Sequence, residues 1–143
     1  MPADISEHCN TIEECYEFML AYAAQGLPSD QGSKSGGQIR EYLDRAVKAI
    51  SGLAESCATA SKLGRWEPSE RYQAFFHVLA RDAGDSLAAI ELVLAQPAIS
   101  SQLIDNLNAS IHIRALLTDL FLMSEIVETQ RVSGNPAGLN AKK

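Results

Sequence analysis

At 143 residues and 15.5 kDa the chain is long enough to bury a core of its own, without a disulfide framework or a structural metal as a staple. Its 18 acidic against 12 basic residues give a net charge of -6, a field that opposes a nonspecific grip on nucleic acid or on an anionic membrane. Three cysteines, Cys9, Cys15 and Cys57, stand at no disulfide-framework spacing, and no apolar signal segment follows Met1; together these predict a reducing, cytoplasmic setting.

No internal repeat and no alternating apolar run bounded by turn signals is present, so strands are not expected. The first helix is read from Thr11, which forms a capping-box pattern with Glu14, to a stop at Gly26. Ile12, Tyr16, Met19, Leu20 and Ala23 recur at helical spacing between them. The segment 26–37 is too rich in Gly and Ser to hold a helix and reads as a flexible connector. From Gln38, the residues Ile39, Leu43, Ala46, Ile50, Leu53, Cys57 and Ala60 step by four and three, the pattern of a bundle-facing seam. Glu41 with Arg45 and Asp44 with Lys48 are acid-before-base pairs at four-residue spacing. Gly64 ends this helix, and Trp66 is placed as a cap on the bundle end.

Pro68 opens the third helix, which runs through Tyr72, Phe75, Phe76, Leu79, Ala83, Leu87, Ile90 and Leu94 to Pro97. The fourth, from about Ser100, is apolar nearly all round in its second half, at Leu116, Leu117, Leu120, Phe121, Met123, Ile126 and Val127. The stretch from Ile111 to Val127 carries His112, Arg114, Asp119 and Glu125 and falls short of the roughly 20 apolar residues of a membrane helix. The tail from 132 to 143 has little to bury and is expected to be disordered.

The expected fold is therefore all-α: a four-helix bundle, up-down-up-down with antiparallel neighbours, in a single domain over 1–131. Its helices are read at about 11–25, 38–63, 68–95 and 100–130. One short helix beside three long ones leaves apolar surface uncovered, and a second copy of the chain is the simplest cover.

Chemistry in a bundle is sought first among inward carboxylates and histidines. No Glu-x-x-His occurs on any predicted helix, so the di-iron pattern is missing and neither a metal nor another cofactor is expected. Asp105, His112 and Asp119 repeat every seven residues, about 10 Å apart per step, too far for one mononuclear site without groups from another helix. His8, Cys9 and Cys15, with Glu14, are a sparse set of borderline and soft ligands. Cys15, placed near a helix N-terminus that lowers a thiol pKa, is a candidate nucleophile for which no base is located.

Helix three carries the main polar line, Gln73, His77, Arg81 and Asp85, at four-residue steps and flanked by Asp82. Arg71 with His77 six residues later resembles the Arg-x(4–6)-His signature of HEPN ribonucleases, small all-α dimers. That resemblance implies RNA cleavage by the pair at a dimer interface. Tyr72 stands where that family generally carries a polar residue. The Gly/Ser stretch lacks both the order and the preceding strand of a phosphate-binding P-loop, and no basic, aromatic-interleaved platform for nucleic acid exists. The leading expectation is a non-catalytic accessory or regulatory protein that associates with a partner protein and with itself as a homodimer. The competing class is a bundle that binds a metal, cofactor or small ligand.

Overall fold

The structure, a computed structural model, describes residues 3–63 and 69–134. Among the described residues every regular element is helical: α1 (Ala3–Ala24), α2 (Lys34–Leu63), α3 (Ser69–Leu94), α4 (Ser101–Ala109) and α5 (His112–Gly134). The stop at Gly64, the cap at Trp66, the start at Pro68 and the last nine residues of the expected tail lie outside the described residues.

One apolar stripe per helix builds the core. Ile5, Ile12, Cys15, Met19 and Tyr22 of α1 meet Ile39, Leu43, Ala46, Ile50, Leu53 and Cys57 of α2, all buried, at the four-and-three spacing that keeps a side of a helix turned inward. Leu79, Ala83, Ile90 and Val93 add α3, Ile104 and Leu107 add α4, and Ile113, Leu116, Leu117 and Leu120 add α5. α1 packs most extensively on α2 and then on α4, while α3 lies between α2 and α5. On the α1/α2 flank Phe18 stacks on Tyr42 at 4.2 Å, and Arg45 lies over the far ring at 4.4 Å while reaching Glu41 at 3.7 Å.

Four boundaries differ from the sequence expectation, each for a local reason. α1 begins at Ala3, so Thr11 is mid-helix and no capping box forms: its hydroxyl donates back to the Glu7 carbonyl at 3.1 Å. α2 begins at Lys34, inside the expected 26–37 loop, because Ser33 caps it. The Ser33 hydroxyl accepts the Gly36 N–H at 2.9 Å and its carbonyl accepts the Gly37 N–H at 3.1 Å. The expected fourth helix is two helices, broken at Ser110 and Ile111, where Ile111 takes a left-handed φ of 63°. Finally, α5 continues to Gly134, three residues into the expected tail.

The connector between α1 and α2 is held by a polar lock rather than left loose. Asp30 accepts Arg40 Nε at 2.8 Å through one oxygen and the Ile99 N–H at 2.8 Å through the other. The same guanidinium donates to the carbonyls of Leu94 at 3.0 Å and Gln96 at 2.7 Å, satisfying the C-terminal end of α3. Ser101 donates to the Tyr22 carbonyl at 2.6 Å, accepts the Leu27 N–H at 2.8 Å, and gives its own N–H to the Leu27 carbonyl. The Tyr22 hydroxyl closes the ring on the Ile99 carbonyl at 2.7 Å. One end of the protein is thereby tied from α1, both connectors, α2 and α3 at once.

Candidate functional site

The N-terminal ligand set does not assemble. The His8 imidazole lies against Gly52 of α2, so close that a Cβ there would sit 2.8 Å from the ring. Cys15 is buried in mid-helix beside Met19, with Sγ to Sδ at 3.6 Å. Burial pushes its thiol up to about 12, with Arg45 pulling weakly the other way, which opposes the activation expected of a thiol at a helix N-terminus. The half-buried Cys9 thiol is likewise raised, by burial first and by Glu13 second. Among the described residues no three His, Cys, Asp or Glu side chains gather at metal-binding distance.

On α3 the line Gln73, His77, Arg81 and Asp85 is exposed along its whole length, and Arg81 and Asp85 make no ion pair with each other at 4 Å or less. Arg71 and His77 are both exposed but lie about 120° apart around the helix, since each residue turns it by about 100°. Arg71 instead edges an apolar groove. The break at Ile111 also separates the seven-residue series: Asp105 stays on α4, where it edges a polar groove with Gly26, Pro28, Ser100 and Gln102, while half-buried His112 opens α5.

Asp119 finds a partner across the helix seam. It shares a hydrogen bond with Asp82 of α3, and burial first, with that contact and the neighbouring negative charge next, raises its carboxyl to about 7. Asp119 Oδ2 is sealed from solvent with no N–H or O–H group facing it, so the contact is a hydrogen bond only while one of the two acids keeps its proton. Ser86, one turn beyond Asp82 on α3, is fully buried with its hydroxyl unpartnered.

The most extended unfilled surface runs along α5. Six large apolar residues are exposed in the described chain: Leu20 on α1, Leu92 on α3, and Ile111 at 56%, Phe121 at 47%, Leu122 at 49% and Ile126 at 37%, all at or along α5. Leu122 and Ile126 form one wall of an apolar groove of about 310 Å³ whose other wall is Arg71, Tyr72 and Phe75 of α3, with Met123 below. A second groove of about 250 Å³ is lined by Ile111, Arg114, Ala115, Thr118 and Asp119. Ile111, Phe121, Leu122 and Ile126 lie at or along one helix, whereas Leu20 and Leu92 are single exposed residues of a kind that any protein surface carries.

The α5 face was half visible in the sequence, as a helix apolar nearly all round. The role of Asp82 was not, because a contact between acids on two helices leaves no periodic trace in either. No family model, curated protein or solved structure matches the chain.

Proposed function

We propose that this protein is a non-catalytic accessory or regulatory module that works by protein association, as a homodimer joined through the outward face of α5. The observation that carries this reading is the concentration of Ile111, Phe121, Leu122 and Ile126 on one helix, beside an apolar groove toward α3. The buried face of the same helix, Ile113, Leu116, Leu117, Leu120 and Met123, already serves its own core, so the exposed apolar residues are surplus to folding one chain. In this reading α4 and α5 together make the fourth limb of an up-down-up-down bundle, completed by the second copy. Light scattering of Leu122→Glu tests it. A charge at that position converts the dimer to a monomer with helical content unchanged, while Leu92→Glu, at a more exposed leucine on α3, leaves the dimer intact. Equal behaviour of the two variants overturns the assignment of the face.

A second reading, binding of a small basic or hydroxylated ligand, is favoured by the Asp82–Asp119 contact beside the groove that Arg114 and Thr118 line. A ligand that offers a donor to the side of Asp119 that lines this groove would offset the repulsion of the two acids when both are ionised. A panel of amines and polyols screened by thermal shift above pH 8 tests this, with Asp119→Asn removing any stabilisation. If the stabilisation is the same in Asp119→Asn, or none occurs, the reading fails.

A further inference from the structure

The association reading leaves open how two copies meet, and the outward face of α5 carries enough asymmetry in size and charge to say. We propose that α5 packs against α5 of a second copy running in the opposite direction, crossing between Thr118 and Leu122, with Arg114 of each chain facing Glu125 of the partner subunit.

The outward stripe has the spacing of a helix-pairing seam. Within α5, Ala115, Thr118, Leu122 and Ile126 step by three, four and four, the repeat that keeps one line of residues on a facing helix, with Ile111 exposed just ahead of the first turn. Its bulk is unevenly distributed: exposed Ile111 at one end, exposed Leu122 and Ile126 toward the other, and the small Ala115 and Thr118 between. Turned end over end about a level midway between Arg114 and Glu125, the stripe sets Leu122 of each chain against the partner subunit's Ala115 and the partner subunit's Thr118, with Ile126 toward the partner's Ile111, so that large side chains meet small ones beside the crossing. In a two-fold interface each contact occurs twice, so this self-complementarity counts double.

Charge selects the same arrangement. Arg114 and Glu125 are eleven residues apart, which places them within about 20° of each other around the helix and about 16 Å apart along it. Both are exposed, and neither makes an ion pair with another described residue of its own chain. When two helices related by a two-fold axis run in opposite senses, like flanks face one another, so the basic end of this flank lies against the acidic end of its copy. If they ran in the same sense, this flank would face the opposite one, which carries His112, Asp119 and Ile126, and Arg114 would lie level with itself. The opposite-sense pair satisfies four charges with two contacts.

A charge-reversal cycle read as a dimer dissociation constant tests the arrangement, because both positions are exposed and the fold does not depend on either charge. Arg114→Glu and Glu125→Arg each weaken dimerisation, by roughly tenfold or more given that each contact is made twice, and the double variant restores it to within a few-fold of the unaltered protein. Mild oxidation of Thr118→Cys, close to the crossing, joins two chains by a disulfide between the new cysteines, identified by peptide mapping, whereas Ile126→Cys does not. Restoration failing in the double variant, or crosslinking through Ile126→Cys in place of Thr118→Cys, overturns the opposite-sense arrangement and leaves the homodimer standing. A monomeric unaltered protein overturns both.

Discussion

Asp82 on α3 and Asp119 on α5 are joined by a hydrogen bond that exists only while one of the two carboxyls is protonated. The seam between these helices thus carries a group that titrates near neutrality, and the stability of the fold inherits that titration.

The direction follows from linkage. Asp119 titrates at about 7 in the folded chain against about 3.9 for an unfolded aspartate, so the folded state holds the proton more tightly. Its stabilising contribution is complete below about pH 4, declines as pH rises, and is lost once the pH has passed through about 7. Because the carboxyl is only partly buried, screening reduces the effect to the order of 1 kcal/mol. Asp119→Asn keeps a hydrogen-bond donor toward Asp82 at every pH. Denaturant unfolding at pH 5 and pH 8 is expected to show the unaltered protein losing stability over that interval by more than the variant does. Parallel loss in the two proteins excludes Asp119 as the group responsible.

Asp30 responds in the opposite sense. Burial alone would push its carboxyl up, and the Ile99 N–H together with Arg40 outweighs it, holding the group below the ordinary carboxylate range. Its contribution is present above the unfolded value of about 3.9 and is lost as pH falls through the lowered folded one. Asp30→Ala removes both bonds and leaves the Ile99 N–H without its acceptor, at a cost of about 2 kcal/mol. Arg40→Ala, which also frees the carbonyls of Leu94 and Gln96, costs a similar amount. In a double-mutant cycle the two losses are expected to be markedly less than additive; simple additivity would mean that the lock is not one unit.

Gly36 and Gly37 are neighbours in the first turn of α2 whose replacement has opposite signs. A Cβ at Gly36 collides with the Asp30 backbone carbonyl, whereas a Cβ at Gly37 meets nothing within 4 Å. Gly36→Ala is therefore expected to cost about 2 kcal/mol or more, since the backbone must move. Gly37→Ala is expected to gain about 0.5 kcal/mol from helix propensity and a less mobile unfolded chain. Thermal denaturation of the two variants distinguishes them by the direction of the Tm shift.

The core was largely legible in the sequence because periodicity records which side of a helix faces inward: the stripe from Ile39 to Cys57 is buried in full. The ends were less so. Thr11 with Glu14 has the pattern of a cap and sits mid-helix, because Ile5 upstream also buries its side chain and carries α1 back past it. The two glycines after Ser35 have the composition of a loop, yet the Ser33 cap and the close passage of Asp30 make the first of them a packing requirement. The break before α5 has no glycine or proline to mark it. It falls on Ile111, a β-branched residue that disfavours the left-handed conformation it adopts, and propensity reads straight through such a position. Of the candidate site, the residues of the α3 polar line were readable individually. Which of their neighbours meets Asp119 depended on how α3 and α5 pack, and no single-helix pattern encodes that.

Sedimentation equilibrium of the unaltered protein over nanomolar to micromolar concentrations decides whether a second copy of the chain covers the outward face of α5. The expected mass rises with concentration from that of one 15.5 kDa chain to that of two and goes no higher, as a closed two-fold interface requires. A well-folded species that keeps the mass of one chain throughout the range would contradict it.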